Sequence, residues 1–111
     1  MMKQIYCQFL DEIEGAEEYT RCATKCKDKN RDLSTMYRSM AENEISHAEK
    51  LIDAMHKVAE MEEKKHFSDT EERDSYDREN KKHYTVEAAE MIIDFMEGQL
   101  LKAKSMVSAF E

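Results

Sequence analysis

The chain has no proline and only two glycines, Gly15 and Gly98, in 111 residues. Tight turns and left-handed corners draw on those two residue types, so hairpins, meanders and Greek keys have almost nothing to be built from. Charged residues make up 38% of the sequence. Met, Leu, Ala, Glu and Lys are plentiful, and these residues favour helix. The pattern predicts an all-α fold: one domain over residues 1–111 made of a few long amphipathic helices. With no tryptophan, the core has to be aliphatic, filled by methionine and a few Tyr and Phe. A chain this short buries limited apolar surface, and long helices leave much of it on their flanks. Oligomerisation is the expected remedy.

The net charge of −8 at pH 7 argues against nucleic acid and anionic membranes as partners. It fits a protein that attracts cations. Met1 to Gln8 holds no apolar run of signal-peptide length, and no segment approaches a membrane span. The expected location is the cytoplasm or a compartment inside it. The cysteines are Cys7, Cys22 and Cys26, an odd number without a Cys-x-x-Cys pair. That pattern is read as reduced thiols rather than a disulfide framework.

Taken in order, Ile5, Phe9, Ile13, Ala16, Thr20 and Ala23 recur at helical spacing and predict a first helix over about residues 3–27. Its centre is crowded with Asp11, Glu12, Glu14, Glu17 and Glu18. Glu12 lies at the edge of the apolar stripe and can turn inward. Glu17, one turn after Ile13, is the other inward candidate. Gly15 costs a helix about 1 kcal/mol relative to alanine, which a close helix contact or a crowded site would explain. Lys27 to Asn30 ends the helix, with Asn30 suited to a left-handed cap and Asp32 or Ser34 to the next start. So short a connection makes the first two helices an antiparallel hairpin.

The second helix is expected over about residues 32–66. Its stripe is Leu33, Met36, Tyr37, Met40, Ala41, Glu44, Ala48, Leu51, Ile52, Met55 and Ala59. Residues 67–83 are polar and aperiodic and read as a connector, with Ser68-x-x-Glu71 as a capping box. A third helix follows over about residues 84–110, carrying Val86, Ala89, Ile93, Met96, Leu100, Ala103, Val107 and Phe110. Ile92, Phe95 and Leu101 widen that stripe, so this helix can meet more than one neighbour.

The chemistry concentrates at Glu44 and His47. Residues three apart on a helix lie on nearly one face, so a carboxylate and an imidazole there can reach one point. Such a pair suits iron, manganese or zinc. Glu44 sits near the middle of an apolar stripe, where a carboxylate is costly unless paired or coordinated. With a turn centred near Asn30, position 44 lies across from about position 15. The acids from Glu12 to Glu17 therefore face Glu44 and His47, leaving Glu12, Glu14 and Glu17 as rival first-helix ligands. His56, His66 and His83 read as surface residues.

Glu12-x-x-Gly15-x-x-x-Tyr19-x-x-x-Ala23, followed by Glu44-Ile45-Ser46-His47-Ala48, resembles the ferritin-like superfamily, above all the rubrerythrins and encapsulated ferritins. The resemblance covers about residues 5–60. It implies Glu12 as the first-helix ligand, Glu44 as the bridging carboxylate and His47 as the terminal imidazole. It also implies Tyr19 as a phenol hydrogen-bonding a ligand, and Asp11 and Glu14 as acids that gather ions at the entry. A complete ferritin-type site takes a Glu and a Glu-x-x-His from each of two helix pairs. This chain has one such set, so the resemblance implies a di-iron site shared between two subunits, with a four-helix bundle completed by dimerisation. The activity implied is Fe(II) oxidation in iron handling or oxidative-stress defence, in a homodimer or higher homo-oligomer, with an encapsulating shell protein as a further partner. No rubredoxin-type cysteine pair is present. The competing reading is a small helical structural or interaction protein, phage-related, whose metal site is weak or vestigial.

Overall fold

The computed structural model of the chain describes residues 1–69 and 75–109. Among them there is only helix: α1 (Met2–Cys26), α2 (Arg31–Asp69) and α3 (Ser75–Ser108). The first two form the antiparallel hairpin that the short connection requires, and α3 packs along both. The molecule is a rod of 66 × 16 × 15 Å.

The corner between α1 and α2 is closed by hydrogen bonds. The Asn30 amide donates to the Cys26 carbonyl at 2.8 Å, and the Asn30 side-chain oxygen accepts from the Leu33 amide at 3.1 Å. Asn30 is thus the N-cap of α2, satisfying one of the amides that a helix start leaves without a partner. The expected left-handed cap is not used, because no residue outside glycine has a positive φ among the described residues. Ser34 does not cap either. Its hydroxyl is buried and donates across the hairpin to the Ala23 carbonyl at 2.7 Å. This bond ties the start of α2 to the end of α1 and sets the register of everything beyond it.

The core follows the stripes. Phe9, Ile13 and Ala16 of α1 meet Ala41, Ala48, Ile52 and Met55 of α2, with Ile93, Met96, Ala103 and Val107 of α3 closing the third side. The alanines at 16, 41 and 48 are fully buried, so the hairpin backbones approach closely. Two expectations change at α2. Met36, placed in the stripe, is 47% exposed, whereas Ile45, left out of it, is buried. The reason is the position of α3, which covers the Ile45 side of α2 and leaves the Met36 side open. Ion pairs from Lys104 to Glu49 at 3.0 Å and from His56 to Glu97 at 3.5 Å flank the α2–α3 seam.

The polar stretch expected as a connector is helical at both its ends, over residues 67–69 and 75–83. Without proline or glycine, nothing in it blocks propagation from a helix already formed. The Ser68-to-Glu71 capping box, Phe110 and the side chains of His66, His83 and Val86 lie outside the described residues.

Candidate metal centre

Glu44 lies about a third of the way along α2, with Ala41, Ile45 and Ala48 buried around it. Its side chain points across the hairpin at α1. Glu12 comes from α1, held between Phe9, Ile13 and Ala16, all buried. His47 follows Glu44 by one turn and stands at the hairpin edge. Its Nδ1 lies 3.3 Å from Oε2 of Glu12, with the two side chains 53% and 26% exposed. One donor atom from each of Glu12, Glu44 and His47 falls within 4.8 Å of the other two, and no other such group occurs among the described residues.

Gly15 is explained by this crowding. A Cβ at position 15 would lie 3.2 Å from Oε2 and 3.3 Å from Cδ of Glu44. The missing side chain makes room for the Glu44 carboxyl against the α1 backbone, at the register that the hairpin corner dictates. Gly15→Ala should therefore separate folding from binding. Helix propensity favours alanine by about 1 kcal/mol, so the melting temperature of the metal-free protein holds or rises. The displaced carboxyl should cost about 10-fold in iron affinity. Thermal melts and an iron titration of the same variant check both directions.

The electrostatics reflect two acids in one place. The Glu44 carboxyl is pushed up to about 7, first by its hydrogen bond with Glu12, then by burial, then by the Glu12 charge, with His47 opposing. Two carboxyls held together take up a proton that separate ones would release. A divalent cation can replace that proton, and the donors present, two hard carboxylate oxygens and one imidazole, are ones that iron, manganese and zinc accept.

An open groove of about 330 Å³ runs beside the cluster, lined by Gln8, Asp11, Glu12, His47, Lys50 and Leu51. Asp11 thus stands at the approach to the site. Glu14 is exposed and outside the groove, and Glu17 is half-buried and outside the cluster. Tyr19 does not make the expected hydrogen bond. Its ring stacks on Tyr37, with centroids 6.2 Å apart and planes at 25°, and no hydrogen bond of its hydroxyl is found among the described residues. The tyrosine pair spans the hairpin, so the ring position is set by packing. Gln8 and Lys50 were not singled out from the sequence. Gln8 precedes Glu12 by four residues and Lys50 follows His47 by three, and that helical spacing was the signal available.

The family model for rubrerythrin matches residues 8–111. The chain belongs to the rubrerythrin family. Rubrerythrins are ferritin-like di-iron carboxylate proteins, and their domains bind iron. The match runs well past the part of the chain that carries the resemblance and takes in α3. No curated protein and no solved structure matches significantly. As a rubrerythrin-family domain the chain carries one Glu and one Glu-x-x-His in contact range, and α3 adds no second group among the described residues. No helix among the described residues is long and apolar enough to cross a membrane.

Proposed function

We propose that this protein takes up Fe(II) as substrate and oxidises it at a di-iron site assembled from two copies of the chain. One observation carries the proposal: the three-donor cluster is half a ferritin-type site and opens at the surface through His47. Met36, three turns before His47 on the same face of α2, is 47% exposed. Apolar surface beside an incomplete ligand set is what a subunit contact would cover. A second copy on this face brings a second Glu12, Glu44 and His47, and two hairpins together make a four-helix bundle.

In this reading Glu44 would be the carboxylate serving both metal positions, and Glu12 and His47 would each hold one. Glu44 gives up its shared proton when a cation enters. Asp11 stands beside Glu12 in the groove and raises the local concentration of cations. Apolar side chains beneath the cluster keep water from its inner side. Bound iron supplies the redox chemistry, with oxygen or peroxide as the electron acceptor. Manganese and zinc fit the same donors without giving that oxidation. A cytoplasmic setting, where thiols such as Cys7, Cys22 and Cys26 stay reduced, suits the proposal.

The test is anaerobic addition of Fe(II) to metal-free protein, followed by air. Two iron ions should bind per pair of chains, ferric absorbance should develop in the near ultraviolet, and sedimentation should show pairing promoted by iron. A fully helical protein that binds no iron would instead support the structural or interaction reading.

A further inference from the structure

The outer face of α3 carries a second pattern, remote from Glu12, Glu44 and His47. At its centre is Gly98, where a side chain would find nothing within 4 Å. Gly98 is therefore not required by packing within the chain, unlike Gly15. Residues three and four away from it on either side share its face. On the N-terminal side these are Asp94 and Phe95, and on the C-terminal side Leu101 and Lys102. All four are exposed, Leu101 by 68% and Phe95 by 47%, the Phe95 ring leaning with one side against Tyr6 of α1 at a centroid distance of 6.2 Å. Met91, one further turn away, is 73% exposed. Neither Asp94 nor Lys102 has an ion-pair partner among the described residues.

The pattern is symmetric in size and antisymmetric in charge about Gly98: acid and apolar before it, apolar and base after it. An antiparallel second copy centred on Gly98 brings its Leu101 and Lys102 to the level of Asp94 and Phe95. The two-fold axis then repeats the match on the other side. Apolar side chains meet apolar ones, each acid has a base at its level, and the glycines let the two backbones close together at the crossing. A parallel copy would set Asp94 beside Asp94 and Lys102 beside Lys102, which like charges oppose.

We propose that α3 is a self-recognition surface: a second copy of this chain docks antiparallel on it, with the two Gly98 residues at the crossing. The proposal does not depend on the metal site. The site face lies on the opposite side of the hairpin from α3, so the two contacts can coexist. Two different two-fold contacts on one chain link copies into rings or longer assemblies.

The test uses the full chain with Glu44→Ala, so that metal-driven pairing is absent. Two charge variants are made in that background, Asp94→Lys and Lys102→Asp. Each alone puts like charges at every level of the crossing and should weaken self-association at least tenfold in sedimentation. Mixed, they should form a mixed pair detectable by native mass spectrometry, because one now carries two bases and the other two acids. Gly98→Leu should weaken association as much while leaving the chain helical, since the position is open. A mixture that pairs no better than its separate components would overturn the proposal, as would Gly98→Leu associating like its parent. Loss of iron binding by the Glu44→Ala background bears only on the metal site and leaves this result readable.

Discussion

Glu44→Gln should abolish iron uptake while leaving all three helices in place. The substituted amide keeps the shape of the carboxyl and can still donate a hydrogen bond to Glu12, so the hairpin loses little. The cation loses one of the two carboxylates in the three-donor cluster. Outer partners of a metal ligand already carry about 10–100-fold in affinity, so removing the ligand itself should cost at least about 100-fold. The variant should also change the pH dependence. The Glu44 carboxyl titrates near 7 in the folded chain against an ordinary value of 4.5. A folded-state value raised in this way stabilises the metal-free fold fully below 4.5, and that contribution disappears as pH climbs through about 7. Metal uptake runs the other way, because the cation must displace the same proton and binds more tightly as pH rises through about 7. Chelator-competition titrations across that range should show a steeper proton-linked slope in the parent than in any residual binding by Glu44→Gln, where only the imidazole of His47 and the carboxyl of Glu12 remain to release protons. Equal iron affinity in parent and variant would remove Glu44 from the site.

How much of this could be read without a structure depends on whether the information is local. Glu44 and His47 share a face by helical geometry alone, and the short corner at Asn30 fixes what lies opposite, so the stretch from Glu12 to Glu17 could be placed from counting, while the choice of Glu12 within it came only from the family resemblance. The same counting could not choose between Met36 and Ile45. Both edges of the α2 stripe look alike until α3 covers one of them, and where α3 lies depends on contacts far apart in sequence. Asn30 was recognised as a corner residue but given the wrong job, since a C-cap and an N-cap compete for the same short side chain when the corner is tight. Residues 75–83 lack an apolar period, yet a period reports burial rather than helicity, so its absence does not exclude a helix. The role expected of Tyr19 came from the resemblance alone, and its ring is set by stacking on Tyr37, which arrives from the other helix.

Phe9→Ala should be the most damaging single change to the fold. Phe9 is fully buried and, with Met55 and Met96, is one of the largest side chains in that state among the described residues. It sits one turn before Glu12 in the cluster with Ile13, Ala48 and Ile52. Truncating a buried phenylalanine costs about 3–5 kcal/mol, against a total stability of about 5–15 kcal/mol for a domain. The midpoint of thermal unfolding should fall by on the order of 10–20 °C. Leu10, the next residue, is 37% exposed, and its truncation should shift the midpoint far less. The same variant also tests whether the cluster belongs to the folded state alone. A ligand that binds only the folded chain adds about 2.7 kcal/mol at 100 times its dissociation constant. Saturating Fe(II), kept anaerobic, should therefore recover much of what Phe9→Ala loses, at fixed protein concentration. Combining Phe9→Ala with Glu44→Gln should remove that recovery, because the cavity remains and the ligand does not. Melting curves of the single and double variants, with iron and with chelator, decide it. An iron-dependent rise of equal size in both would mean that the metal is held somewhere other than between Glu12, Glu44 and His47.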